Sequence, residues 1–295
     1  MLTLSLHRVS AQLHLGQTQF ARNEIFFNPA YAASKDYYVA SANIREQWVG
    51  INGSPSTQSF SFFGPIPKKQ IGLGLNITND AIGVTKQQLI NLSYAYRINF
   101  NNSILSMGMN LGAKTFSIDF EKLNLDNFND PNLGNSIKRF VPYTGAGVYF
   151  VKDNYNIGLS FPIFPQDLLV SGESDITIQD RGIFFLSGAY LSKFHNGLAL
   201  RTSGLIRGVL GSNMEIDLAG TLFLNDALNF SLIYKSLNAL GVQVEYGYDK
   251  TYYFSYSFDF ATSRLPFNHF GSHEVTLTYY FVPNKKHHFK NPRYF

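Results

Sequence analysis

Ten residues near the end of the chain, SHEVTLTYYF at 272–281, alternate Val275, Leu277, Tyr279 and Phe281 with Glu274, Thr276, Thr278 and Tyr280. A period of two places the first set on one face of a β-strand and the second on the other. The alternation recurs along the chain. Ile71, Leu73, Leu75 and Ile77 interleave with Gly72, Gly74, Asn76 and Thr78, and Ile90, Leu92, Tyr94, Tyr96 and Ile98 with Asn91, Ser93, Ala95 and Arg97. Leu240, Val242, Val244, Tyr246 and Tyr248 likewise oppose Gln243 and Glu245. No helical period explains these segments. The pattern predicts fourteen strands, at 37–47, 56–63, 70–79, 84–99, 102–118, 141–152, 154–162, 182–194, 197–207, 213–224, 227–235, 238–248, 251–261 and 272–282.

Two architectures present such strands: a soluble sandwich, whose apolar faces meet in a core, and a transmembrane barrel, whose apolar faces meet lipid. The faces opposite the apolar ones are rich in Gly, Ser, Asn and Thr and poor in Lys and Glu. Small polar residues suit a crowded, wet lumen, whereas the outer face of a soluble sheet carries more charge. Aromatics near strand ends, Tyr37, Tyr38, Trp48, Tyr143, Tyr248, Tyr252, Tyr253 and Tyr280, are expected to form the two interfacial girdles. Connector lengths agree in phase. One set of alternate connections is short, while the other includes the two longest loops, 119–140 (Asp119 to Phe140) and 163–181 (Ile163 to Arg181). The expected fold is therefore an all-β antiparallel up-and-down barrel of 36–282. Its short turns and both termini would be periplasmic and its long loops extracellular.

Composition fits this reading. Aromatics make up 16% of the chain and charged residues only 15%, which favours strands over a helical enzyme. The net charge of +4 is scattered, so no nucleic-acid-binding stripe emerges. Residues 1–11 read as the rear of a secretory signal, with Val9-Ser10-Ala11 as a small-residue cleavage site. Residues 12–35 carry Phe20, Ile25, Phe26 and Phe27 ahead of the first strand, a lead-in expected either to fold into the lumen as a plug or to stay a strand-less periplasmic segment. Residues 283–295 form a basic tail, expected to be periplasmic, with Lys285, Lys286, Lys290 and Arg293.

Candidate chemistry is sparse. His287 and His288 lie in the tail without a metal-ligand pattern, and His273 and Glu274 are adjacent on one strand and so point to opposite faces. No GxSxG turn or phosphate loop occurs. No catalytic, cofactor or metal site is expected. Six strand charges, Arg45, Arg97, Arg201, Glu245, Asp259 and Glu274, are costly against lipid and are expected to face the lumen or the rim, either as a structural ion-pair network or as ligand contacts.

Several short motifs, in order, resemble the PorP/SprF family. They are Asn28-Pro29-Ala30-Tyr31, Arg45-Glu46-Gln47-Trp48, Gly72-Leu73-Gly74 with Asn79-Asp80, Tyr94-Ala95-Tyr96-Arg97, Ser272-His273-Glu274 and the terminal Pro292-Arg293-Tyr294-Phe295. Together they run from about residue 17 to the end of the chain. Ala32-Ala33 stands where the family pattern has Ala-Gly. The resemblance implies a FadL-like outer-membrane barrel of the type IX secretion system of Bacteroidota. It would bind, help export or anchor secreted proteins that carry a type B C-terminal sorting domain, gliding adhesins among them. Implied partners are that cargo, a periplasmic peptidoglycan-binding lipoprotein, other secretion components and outer-membrane lipids. The alternative that such a barrel permits is a channel for uptake of hydrophobic compounds.

Overall fold

Alternation of apolar and polar residues lets a sheet put one face to lipid and the other inward, and each of the fourteen expected segments is a strand of such a sheet. The computed structural model describes residues 16–119, 137–170, 176–180, 182–194, 197–209, 214–225, 227–236, 239–262 and 270–281. The first seven strands are β1 (Tyr38–Glu46), β2 (Ser56–Pro65), β3 (Ile71–Ile82), β4 (Thr85–Asn99), β5 (Ser103–Ile118), β6 (Ile137–Lys152) and β7 (Tyr155–Ile163). Two short strands follow, β8 (Gln166–Val170) and β9 (Ile176–Asp180). The rest are β10 (Ile183–Lys193), β11 (Ala199–Val209), β12 (Met214–Phe223), β13 (Leu228–Lys235), β14 (Ala239–Tyr248), β15 (Tyr252–Ala261) and β16 (Ser272–Phe281). All but β8 and β9 form one closed antiparallel barrel of fourteen strands in sequence order, sealed by β1 against β16.

The outer face is apolar. Leu92, Met109, Leu111, Leu232, Tyr246 and Phe254 are all exposed there, while Asn76, Ser93, Asn110, Ser231 and Ser257 are buried inside. The wet face of the sheet is the inner one, as lipid on the outside requires. The closing strand follows suit, with Val275, Leu277 and Phe281 exposed and Glu274 and Thr276 buried.

Three expectations need correction. The 163–181 loop holds its own two-stranded sheet, β8 with β9, apart from the barrel; five-residue strands are too short to stand out from a loop by alternation. The 119–140 loop ends sooner, because β6 begins at Ile137 and Phe140 is a strand residue exposed on the outer face. Four of the girdle aromatics, Tyr37, Tyr143, Tyr253 and Tyr280, are buried inside. In the pairs Tyr252-Tyr253 and Tyr279-Tyr280 successive side chains must point to opposite faces, so only one of each can meet lipid. The inward ones pack together: the Tyr280 ring lies 5.5 Å from that of Tyr37 and 5.2 Å from that of Tyr253, both nearly edge-on. The 1–11 and 283–295 segments, with Arg293 and Phe295, lie outside the described residues, as do Arg181 and 120–136.

A fourteen-strand barrel is too wide for its own side chains to fill. Residues 16–35 lie inside it. They form two 3₁₀ turns, Glu24–Phe26 and Pro29–Ala33, and every residue from Asn23 to Lys35 is buried. The Asn28-Pro29-Ala30-Tyr31 motif explains itself here. Asn28 caps the second turn by accepting from the Ala30 amide at 3.0 Å, and Pro29 supplies a pre-set φ at the first position. The Asn28 Nδ2 also donates to the Val148 carbonyl on β6 at 3.0 Å, and the Tyr31 ring packs against Phe63 and Tyr149. This close seating needs walls without side chains. A Cβ on Gly72 would lie 2.2 Å from the Ala32 carbonyl oxygen, and one on Gly108 would lie 2.4 Å from the Ala30 nitrogen.

Replacing Gly108 by Val should therefore unseat the 3₁₀ turn while leaving the strand ladder intact, at a cost of about 1–3 kcal/mol. The expected readout is a barrel that still shows strand circular dichroism and heat-modifiable migration but melts several degrees lower; an unchanged melting temperature would count against the tight seat.

Candidate functional site

The barrel closes where β1 meets β16, and in that register Arg45 stands opposite Glu274. Both side chains point inward and are buried. The Arg45 Nη1 donates to Glu274 Oε2 at 3.0 Å, and its Nη2 donates to Asp259 Oδ2 on β15 at 2.8 Å. Asn43, two residues away on the same face, donates to Glu274 Oε1 at 3.0 Å. The lumen segment plugs into this cluster. The Thr18 amide donates to Glu274 Oε2 at 2.7 Å, and its hydroxyl donates to Asp259 Oδ2 at 2.6 Å. Lys235 on β13 reaches Asp259 Oδ2 at 3.1 Å, the Thr18 hydroxyl oxygen at 2.9 Å and the Gly16 carbonyl at 3.4 Å.

Charges withdrawn from water are tolerable only when paired and hydrogen-bonded, and these are arranged with alternating sign along the wall. Beyond Lys235 the alternation continues through Asp217 and Glu215 on β12 to Arg207 on β11, whose Nη2 donates to Asp217 Oδ2 at 2.6 Å and whose Nε lies 2.7 Å from Glu215 Oε2. A small cavity of about 50 Å³ opens among these groups, lined by Arg45, Asp217, Lys235 and Asp259 together with Gln47, Trp48 and Ser272. Two of the sequence motifs, Arg45 to Trp48 and Ser272 to Glu274, thus converge on one place at the long-loop end of the lumen. Trp48 takes a φ of +48°, a conformation that costs a non-glycine residue about 1–2 kcal/mol. Bonds on either side hold it: its amide donates to the Ser272 hydroxyl at 3.2 Å, and the Val49 amide donates to the Gly271 carbonyl at 2.9 Å.

A second network lies deeper. Arg22 of the lumen segment pairs with Glu245 on β14, which also accepts from Asn229 Nδ2 at 3.0 Å, and the Arg22 guanidinium sits 5.6 Å over the Tyr253 ring. Glu24 and Lys35 are buried beside one another's fields and that of Arg201 on β11. Burial pushes the Glu24 carboxyl up to about 7, against the pull of the Lys35 and Arg201 charges. Burial likewise lowers the Lys35 ammonium to about 7, and the Glu24 charge resists that shift. The Lys35 Nζ lies 5.1 Å over the Tyr31 ring.

Five of the six strand charges, Arg45, Arg201, Glu245, Asp259 and Glu274, are thus inside, and Arg97 is at the short-turn rim, paired with Asp36. The remaining motif residues are dispersed. Asn79 lies on the outer face between Gln58 and Gln88, Asp80 accepts from the Thr57 hydroxyl at 2.5 Å, and Tyr94 and Tyr96 are exposed on the outside. His273 also points outward, its Nδ1 2.7 Å from the Tyr256 hydroxyl. Asp119 and Ile163 bound the two longest connections. Thr18, Arg22, Lys35, Lys235, Asp217 and Arg207 were not anticipated as network members. For Lys235 a signal existed, since it shares the inward parity of Asn229 and Ser231. Among the described residues, no group of three His, Cys, Asp or Glu is placed to hold a metal ion.

Residues 9–279 match the family described as type IX secretion system membrane protein PorP/SprF. No curated protein sequence matches the chain. Among solved structures, similar ones include a Pseudomonas aeruginosa FadL homologue (11% identity, 86% of this chain and 92% of that one, TM-score 0.52). The Ralstonia pickettii toluene transporter TbuX is similar too (10% identity, 87% and 92%, TM-score 0.51), as is the CymD monoaromatic hydrocarbon channel (10% identity, 92% and 94%, TM-score 0.51). At such identities the likeness is one of fold.

Changing Glu274 to Gln removes the charge that meets Arg45, Asn43 and the Thr18 and Gln19 amides, and is expected to destabilise the protein by about 3–5 kcal/mol. Thermal unfolding of the detergent-solubilised protein measures this, and Arg45→Met combined with Glu274→Leu should recover a large part of the loss.

Proposed function

The chain belongs to the type IX secretion system membrane protein PorP/SprF family, and from that premise we propose that it works by holding protein rather than by passing solutes. As an outer-membrane component of that system, it binds secreted cargo carrying a type B C-terminal sorting domain, gliding adhesins included, aids its export and anchors it at the cell surface. The observation that carries this reading is the filled lumen. Residues 16–35 occupy the space a solute would cross, tied by hydrogen bonds to β1, β6, β13, β15 and β16. Two cavities among the described residues, of about 50 and 30 Å³, have room for a few water molecules.

In this arrangement the long-loop end faces outward and meets cargo through residues 119–140 and 163–181. The short turns and both termini face the periplasm, where a peptidoglycan-binding lipoprotein and further secretion components dock. The barrel acts as a rigid post, its lumen segment bracing the wall, and no chemical step is assigned to it.

Two measurements test the reading. Deletion of residues 120–136 should abolish capture of a purified sorting domain by the folded barrel; undiminished capture would refute the role of that loop. In planar bilayers the intact protein should be nearly silent, whereas deletion of residues 16–35 should produce steady conductance. An intact protein that conducts, or takes up a monoaromatic hydrocarbon, would favour a channel instead.

A further inference from the structure

The strands of the barrel are unequal in length, and the difference falls on one side. A tilted strand crosses the hydrocarbon layer in about 9–11 residues. Strands β13 to β16 have 8 to 10 residues, while β4, β5 and β6 have 15, 16 and 16. The surplus stands at the long-loop end as a wing above the rest of the rim.

The outward face of the wing changes character in order. At the level of Leu92 and Leu111 it is apolar, and one step up come Ile90 and Ala113. The next row is Gln58, Asn79, Gln88, Thr115 and Phe140, paired strand to strand from β2 to β6. Its amides form a ladder, with Asn79 Nδ2 donating to Gln58 Oε1 at 2.6 Å and Gln88 Nε2 donating to Asn79 Oδ1 at 3.4 Å. The row above carries Lys86, Ser117 and Lys138 in register. Both lysines are exposed, and neither makes an ion pair among the described residues. Two strand spacings separate them, about 10 Å. The nearest acid in this row is Glu46 on β1, at the far edge of the wing and bonded by the Ser56 hydroxyl at 2.6 Å.

On the other side of the barrel the apolar face continues through Met214, Ile216, Tyr234, Leu240 and Phe260, without such a belt among the described residues. A polar belt is therefore not a general requirement of this rim. We propose that the outer face of the wing is a docking site for a phosphorylated glycolipid of the leaflet at the long-loop end. The apolar rows take its acyl chains, the exposed edges of the amide ladder meet sugar hydroxyls, and Lys86 with Lys138 pair with phosphate. Apolar rows, amide ladder and cationic pair stand next to one another along the strands, so a lipid with both sugar and phosphate engages all three, whereas a plain phospholipid offers the ladder no sugar hydroxyls. The choice of leaflet rests on the outward orientation of the long loops, whereas the site itself is independent of any cargo.

Native mass spectrometry or thermal shift on the full-length protein in detergent decides the matter, with bisphosphorylated lipid A, its phosphate-free form and phosphatidylglycerol as probes. The lipid A is expected to bind, and K86Q/K138Q to weaken it about thirtyfold, while K86R/K138R retains binding and shows that the barrel is sound. Asn79→Ala with Gln88→Ala should weaken lipid A and leave phosphatidylglycerol unchanged. Equal binding of the phosphate-free form, or full binding by K86Q/K138Q, would overturn the site. Phosphatidylglycerol bound as tightly as lipid A, with the same dependence on both lysines, would overturn the glycolipid assignment in favour of a general anionic surface.

Discussion

A sheet that crosses lipid has no water with which to satisfy the amides and carbonyls of an edge strand, so it must close on itself. Here closure falls on β1 and β16, the strands farthest apart in sequence, and nine residue pairs from Tyr38 with Phe281 to Glu46 with His273 form the seam. Its register decides more than the shape of the barrel. It sets Arg45 opposite Glu274, so that each buried charge meets one of opposite sign. A slip of β1 by one residue would turn Arg45 toward lipid, bring Ile44 inside and take Arg45 away from Glu274. The ion pair thus matches the native register of the seam.

Closure also creates the problem that residues 16–35 solve. A barrel of this width encloses a space that its small inward side chains leave open, and the chain's own N-terminal region fills it. That filling depends on complementary features far apart in sequence. Gly72 and Gly108 remove Cβ atoms where the Pro29–Ala33 turn touches the wall. The acids of β14, β15 and β16 receive Arg22, Thr18 and the backbone amides that precede the turns. Apolar packing around Phe27, Tyr31, Phe63, Tyr149 and Phe185 gives the segment a core of its own. Wall and contents are therefore one structure, held by polar contacts at the long-loop end and by aromatic packing lower down.

The fold is shared with proteins described as hydrocarbon channels, which separates architecture from activity. The polar groups of this chain serve two places. They link the lumen segment to the wall, and on the outside they gather on one wing of the sheet.

Alternation by itself was enough to locate all fourteen barrel strands and to say which face is wet, because parity along a strand is a local property, while the cost of charge against lipid left Arg45, Glu245, Asp259 and Glu274 a choice between lumen and rim that the folded barrel decides. Tyr37 and Tyr143 show where such reasoning stops, since an aromatic near a strand end suits an interface or a lumen equally and only packing chooses. The short strands β8 and β9 escaped it because five residues carry too little pattern. The motifs around Asn28, Trp48 and His273 were legible as motifs, but not as parts of one assembly. The meeting of the Arg45–Trp48 and Ser272–Glu274 motifs, and the recruitment of Thr18 and Lys235 to the same cluster, depends on which strands become neighbours when the barrel closes and on which wall the lumen segment touches. Arg45 with Glu274 and Thr18 with Asp259 are more than two hundred positions apart, and only the tertiary structure decided those contacts.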